Sequence, residues 1–415
     1  MLPMTRKFSV REGAPADESF FDRQKLISWW DQETISAAKI MVVGAGALGN
    51  ETIKNLLLLG FRNLLVCDFD TIETSNLSRT VLFGPVDIGK RKAHVAAERA
   101  RQMCLSPDSR IASFHGDITS ELGLGVFQEM DVVLGCLDNV EARRFVNRAC
   151  RLVGRPWIDS GINQLAGHVS FYSPTSEVCY ECGLSDRQLS LARQRWSCDN
   201  VKRLHVQQAR APTVQVTSSI ISGIQVQECV KHLCSNGAVA GQRLWFDGAS
   251  NQFEIFNLRP RQGCEMHAAF DRIVDLALSN SMTVREVLRR LAAAGFGDRP
   301  VLDTQGLRPF VAVAGCRLCG KAIDLYRPQH ALTERDLVCD AVHSDEGGQQ
   351  EAGEMPVAKT VLGAFSEATT EARILNMTLA EVGIPAADIV GVHDGAGYRY
   401  VRLAADIERA LAGDA

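Results

Sequence analysis

No segment of this chain is apolar for the ~20 residues that a membrane-spanning helix needs. The opening stretch, MLPMTRKFSVREGAPADESF, has no apolar core of the kind that marks a secretory signal. Neither sign of charge is in excess: 45 Lys and Arg stand against 49 Asp and Glu, for a net charge of −4. Nothing general therefore favours a nucleic acid or a membrane as partner. No internal repeat is visible. These absences predict a cytoplasmic protein, and 13 cysteines do not argue otherwise. Cys67, Cys104, Cys136, Cys150, Cys229 and Cys234 fall inside patterned elements and read as small buried hydrophobes. Two close pairs among the others suit metal better than disulfides in a reducing compartment. At 415 residues and 46% hydrophobic content, the chain can build one large or two ordinary domains.

The chain is organised around KIMVVGAGALGNETIKNLLLLGFRNLLVCDFD, residues 39–70. An apolar run, 40–43, stops at Gly44-Ala45-Gly46-Ala47-Leu48-Gly49. A helix-period stretch and a second apolar run, 64–67, come next, ending at Asp68 and Asp70. The reading is strand, glycine turn, helix, strand. Gly44 permits the tight turn, Gly46 lets backbone approach a phosphate, and Gly49 allows close helix packing. The helix start offers unpaired N–H groups to an anion. Asp68 falls where an acid can hold a ribose hydroxyl.

Around this unit, residues 1–19 read as a loose arm and 20–36 as a helix with Leu26, Ile27, Trp29, Trp30 and Ile35 on one face. Helices are expected over 92–104 and 142–152, and strands at 111–114, 132–134 and 156–159. That alternation predicts an α/β fold, Rossmann-like, with a mostly parallel sheet. From Gly167 the pattern turns to β alternation, with a turn at Asp247-Gly248 and a helix over 213–234 between. The expected organisation is a nucleotide-binding unit over 20–268 and a smaller C-terminal α+β domain over 269–415.

A dehydrogenase would share the glycine turn but has no use for the basic loop beyond the second strand. Asn76, Arg79, Lys90, Arg91 and Lys92 come directly after the ribose-type acid. A triphosphate calls for that neutralisation where pyrophosphate must leave. Asp138-Asn139 ends a predicted strand, on the edge where open α/β sheets bind ligands. A carboxylate there can hold Mg²⁺ against phosphate oxygens, or either residue can cap the helix after it. The nucleotide set is thus Gly44, Ala45, Gly46, Gly49, Asp68, Asp70, Asn76, Arg79, Lys92, Asp138 and Asn139.

Two C-x-x-ligand hooks, Cys179 with Cys182 and Cys264 with His267, can complete a tetrahedral zinc site. A second set, Cys316, Cys319, Cys339 and His343, could make a separate zinc ribbon; pairing of 179 and 182 with 316 and 319 is the alternative. Cys198 lies in QRWSCDNVKR, where Arg193, Arg195, Lys202 and Arg203 favour a thiolate nucleophile.

Arg23-Gln24, GAGALGNETIKNLLLLGF, CDFDTIETSNLSR, DIGKRKA and GCLDNVEARR, in that order, closely resemble the ubiquitin-activating enzyme superfamily over residues 20–267. That superfamily includes the bacterial adenylyltransferases that activate sulfur-carrier proteins. The resemblance implies that Asp68 binds the ATP ribose, that Asn76 and Arg79 contact phosphates, that Lys92 stabilises the α-phosphate in the transition state, and that Asp138 holds Mg²⁺. It implies that Arg23 reaches across a homodimer interface. It also places a thioester cysteine near position 198. Two departures stand out: Thr80 where glutamine is usual, and His267 where a fourth zinc-ligating cysteine is usual. The implied activity is adenylation of the C-terminal glycine of a ubiquitin-like protein, thioester formation, and transfer to a conjugating enzyme docked on the C-terminal domain. The alternative is activation of a sulfur carrier without conjugation, although no rhodanese-like cysteine loop is present. A non-catalytic nucleotide-binding adaptor and a transfer-RNA dehydratase fit less well, the first because Arg79, Lys92 and Asp138 are all retained, the second because net charge gives no help.

Overall fold

The computed structural model describes residues 19–189, 212–238, 240–316, 319–333, 336, 339, 357–394 and 397–405. Its largest sheet has eight strands: β1 (Lys39–Val43), β2 (Asn63–Cys67), β3 (Arg110–Phe114), β4 (Val132–Gly135), β5 (Trp157–Asn163), β6 (Ala166–Tyr172), β7 (Gln242–Asp247) and β8 (Gln252–Asn257). They lie in the order β3-β2-β1-β4-β5-β6-β7-β8. The first five are parallel and the last three antiparallel. This is the α/β class that the alternating pattern predicts.

Strand β1 is central, and Ile40 to Val43 are all buried. Because side chains alternate across a strand, Ile40 and Val42 enter one core while Met41 and Val43 enter the other. Helices Ala47–Leu58 and Gln215–Leu233 cover the first face. Gln225 on the second of these is fully buried and bonds the Gly135 and Ile158 carbonyls, both at 2.9 Å. It also accepts from Thr52 at 3.0 Å, so both helices are pinned to the ends of β4 and β5. Helix Val140–Leu152 covers the other face with Phe145, Val146 and Ala149.

The helix expected over 20–36 is instead two short ones, Asp22–Lys25 and Gln32–Ala37. The Asp31 carboxylate accepts from the Thr34 N–H and starts the second, in extended backbone that ends any continuous helix. Leu26 and Ile27 are accordingly exposed, while Ile35 is buried and both tryptophans pack on the core.

Two smaller sheets complete the described chain. One runs β14-β10-β15-β16-β9, from β9 (Ile273–Leu276), β10 (Val301–Asp303), β14 (Ala364–Phe365), β15 (Ile389–His393) and β16 (Tyr398–Leu403). The other runs β12-β11-β13, from β11 (Phe310–Gly315), β12 (Ala322–Pro328) and β13 (Val357–Leu362). Helix Val284–Ala293, capped by Thr283, buries Val284, Val287, Leu288 and Leu291 against the five-stranded sheet. This part abuts the large sheet's unit through a buried ion pair. Arg308 bonds Asp388 at 3.0 Å and the Leu122 carbonyl at 2.8 Å, and it also donates to the Thr119 carbonyl. Asp388 in turn accepts the Leu124 N–H at 2.8 Å. A Cβ at Gly123 would stand 2.3 Å from the Ala386 carbonyl oxygen, so the two backbones are in direct contact.

The β1 turn has as little room. Gly44 has φ +98°, and a Cβ there would stand 2.4 Å from the Cys136 carbonyl oxygen. Gly44→Ala should therefore lower the unfolding free energy by at least about 2 kcal/mol, read as an earlier urea midpoint. An unshifted midpoint would mean the turn relaxes freely.

Candidate active site

The strand order reverses between β1 and β4, and a crevice opens at the carboxyl ends of the strands there, as open α/β sheets require. The cavity measures about 1520 Å³. It is lined by residues that come after β1 (Gly44, Gly46), β2 (Asp68, Asp70), β3 (His115 to Thr119) and β4 (Cys136 to Asn139), and by the end of β5 (Gly161, Ile162). Asn76, Arg79 and Lys92 line it too. A Cβ on Gly46 would meet nothing within 4 Å, so the turn presents open backbone to the cavity. Ala45 and Gly49 do not line it. Ala45 is buried and donates its N–H to Asp68 at 2.7 Å. A Cβ on Gly49 would stand 1.9 Å from the Gly44 carbonyl oxygen, so Gly49 lets the helix close on the turn itself.

Asp68 is fixed by two backbone amides, Ala45 on one carboxylate oxygen and Asp70 on the other, both at 2.7 Å. Burial pushes its pKa up, and the nearby Lys92 and the two amides only partly oppose that. Both oxygens retain acceptor capacity toward a hydroxyl. Lys92 opens helix Lys92–Met103, has a buried stem, and pairs with Asp70 at 2.7 Å. Asn76 caps a single helical turn by accepting the Glu73 N–H at 2.9 Å. Arg79 bonds the Ser75 carbonyl at 2.6 Å, and among the described residues its guanidinium pairs with no carboxylate. Thr80 is buried and donates to the Asn76 carbonyl at 3.0 Å, a local role.

Asp138 and Asn139 divide the two tasks open to them. Asn139 caps helix Val140–Leu152 by accepting the Ala142 N–H at 2.7 Å. Asp138 is exposed and lines the cavity, and among the described residues its carboxylate is bonded only by the Asn139 amide, at 3.5 Å. An exposed carboxylate with unused lone pairs, lining the same cavity as Lys92 and Arg79, fits Mg²⁺.

The far wall holds residues not picked out from the sequence: Arg143, His168 and Trp245. Asp159, fully buried behind them, bonds Arg143 at 3.0 Å and His168 at 3.4 Å. Burial pushes the Asp159 carboxyl up, but Arg143 and His168 outweigh it and hold the group below the usual range. His168 stacks parallel on Trp245 with ring centroids 6.4 Å apart. Asp159 ends the predicted strand just as Asp138 does, so the same edge rule could have found this wall. Among the described residues, two cysteines line the cavity, and both are buried. Burial pushes the Cys136 thiol up to about 12 and raises that of Cys67 further.

Arg23 is exposed on its short helix and does not line the cavity of its own chain. Cys198, its flanking Arg193, Arg195, Lys202 and Arg203, and His343 fall outside the described residues.

The four ligand atoms of Cys179, Cys182, Cys264 and His267 lie within 4.8 Å of one another. Cys179 Sγ is 3.7 Å from the sulfurs of both Cys182 and Cys264, and Cys182 Sγ is 3.3 Å from His267 Nε2. Four ligands at Zn–S ~2.3 Å and Zn–N ~2.0 Å would have tetrahedral edges of roughly 3.8 and 3.5 Å, so the set fits zinc. The 179–182 hook is thus gathered with 264–267 and not with 316 and 319. Cys316, Cys319 and Cys339 form a separate group.

Residues 21–266 match the model of the ThiF family. SUMO-activating enzyme subunit 2 of Dictyostelium discoideum is 43% identical over 151 residues, covering 36% of this chain and 22% of that protein. Ubiquitin-like modifier-activating enzyme 5 of the same organism is 30% identical over 254 residues, covering 56% of this chain and 62% of that protein. The alignments thus span less than two thirds of either relative. Among solved structures, E. coli MccB with ATP superposes with a TM-score of 0.50 at 20% identity, over 60% of this chain and 74% of that one. That likeness concerns the fold. With the family model spanning more than half of its length and the strand order and glycine turn in place, the chain belongs to the ThiF family.

Proposed function

We propose that this protein adenylates the C-terminal glycine of a ubiquitin-like protein, consuming ATP and releasing pyrophosphate. The observation that carries the reading is the convergence of Arg79, Lys92 and Asp138 with the open Gly44–Gly46 backbone around one cavity. A peptide's terminal carboxylate has a pKa of about 3.5 and is already ionised at neutral pH. It can attack the α-phosphate without a general base. The protein then has to align the reactants and neutralise charge. Asp68 would accept from the ribose, Asn76 and Arg79 would hold phosphates, and Lys92 would leave Asp70 for the α-phosphate as charge develops there. Asp138 would hold Mg²⁺, which supplies further neutralisation when bound. The acyl oxygen–phosphorus bond forms as the bond to pyrophosphate breaks.

The test is exchange of labelled pyrophosphate into ATP. It should require a small protein ending in glycine, and exchange that is absent with every such protein would refute the activity. The similarity to activating enzymes 5 and SUMO-activating subunit 2 supports a ubiquitin-like partner over a sulfur carrier.

Later steps extend this reading. Cys198 would take the acyl group as a thioester, its basic neighbours Arg193, Arg195, Lys202 and Arg203 favouring the thiolate. A reductant-sensitive adduct that survives in Cys198→Ala would exclude it. Arg23 would act in a partner subunit's cavity, as its exposure away from its own allows. In that case an Arg23→Ala subunit mixed with an Asp138→Ala subunit regains exchange, and no recovery would count against a homodimer. Residues 269–415 would dock a conjugating enzyme as a second domain.

A further inference from the structure

Away from the cavity, Cys316, Cys319 and Cys339 bring their sulfurs within 4.8 Å of one another. They belong to the three-stranded sheet and not to the large one. Cys316 directly follows β11, Cys319 sits in the turn before β12, and Cys339 comes from the chain that leads toward β13. The turn is tightly built. The Gly320 N–H bonds the Cys316 carbonyl and the Cys316 N–H bonds the Lys321 carbonyl, both at 2.9 Å. Gly320 takes φ +71°, which a side chain would strain, and Lys359 on β13 donates to its carbonyl at 3.0 Å. The result is a C-x-x-C-G hook with two thiols on one side, as at the first centre, where the Cys182 N–H bonds the Cys179 carbonyl at 3.1 Å.

Packing does not account for this convergence. Cys316 is buried, but Cys319 is exposed and gains nothing from hydrophobic burial. A disulfide does not fit either: Cys319 Sγ and Cys339 Sγ are 3.8 Å apart, against the ~2.05 Å of a sulfur–sulfur bond. The separation does match the roughly 3.8 Å edge of a zinc–thiolate tetrahedron.

We propose that Cys316, Cys319 and Cys339 hold a second metal ion, a thiophilic divalent cation for which zinc is the fitting species, separate from the one at Cys179, Cys182, Cys264 and His267. Three thiolates fill one face of its tetrahedron, and a non-cysteine donor or water completes it. The ion clips the β11–β12 turn to the chain at Cys339, beyond β12, a structural task with no part in nucleotide chemistry. It is also the more accessible of the two centres, because Cys319 is exposed whereas none of the four ligands at the first is. Chelators should empty it first.

The test uses the full chain, purified under reducing conditions, and zinc as the probe. Elemental analysis should find two zinc ions per chain, and Cys319→Ser should retain one. Should that variant not fold, the wild type still answers. Alkylation of Cys319 by iodoacetamide, followed by peptide mass spectrometry, should be at least about tenfold slower in zinc-loaded than in chelator-treated protein, as a coordinated thiolate requires. Two ions surviving in Cys319→Ser would overturn the proposal. So would one ion in both proteins, or equally fast alkylation with and without chelator. None of these readouts depends on ATP, so they stand apart from any failure of adenylation.

Discussion

Arg308→Ala should cost about 3–5 kcal/mol of unfolding free energy, measured by urea denaturation, because it strands a buried carboxylate. Arg308 and Asp388 have side chains only 1% and 4% exposed, so neither charge is shared with solvent. Removing the guanidinium leaves Asp388 with the Leu124 N–H as its other described partner. It also frees the carbonyls of Thr119 and Leu122, which are otherwise bonded by Arg308. Arg308→Met paired with Asp388→Leu should recover part of that loss, since removing both charges abolishes the uncompensated one. A single substitution that costs under about 1 kcal/mol, the range of an exposed pair, would show that the junction is solvated.

Lys92→Ala should lower the rate of pyrophosphate exchange about 10²–10³-fold, the usual effect of removing one group that meets charge in the transition state. Lys92 is placed for this by its buried stem and by Asp70, which pairs with the ammonium and lines the same cavity. The loss should fall on the rate and not on the urea midpoint, since the Asp70 partner is half exposed and the pair is worth little to stability. Lys92→Arg should recover little, as a planar guanidinium does not reproduce a point charge. An exchange rate that stays within threefold of wild type would remove Lys92 from the site.

The fold around the glycine turn was legible because its determinants are local. The run of 40–43, the glycines and the acid at 68 lie within thirty residues, and each constrains the next. The two hooks of the Cys179, Cys182, Cys264 and His267 cluster were legible for the same reason: three-residue spacing is a local fact, and the fold had only to bring two hooks together. The break near Asp31 has a local trace as well, since Asp is a strong N-cap residue and its carboxylate takes the Thr34 N–H. The far wall of the cavity was harder. Asp159 gains its role from Arg143, 16 residues earlier, and from His168 on the next strand. Arg308 could not be read at all. In GLRPF it looks like any surface arginine, and its partners are 80 and 186 residues away.

The junction around Arg308 bears on how the C-terminal part can be studied. Leu307, Ala387 and Ile389 belong to the same apolar cluster as Phe127, Phe145 and Trp157, so one face of the large sheet is closed by residues from beyond 300. Trimming the chain after 268 would uncover that face to water and invite clumping, and any partner lost with it would be lost for the wrong reason. Roles for this part are better assigned by single exchanges on its solvent side, in an otherwise intact polypeptide.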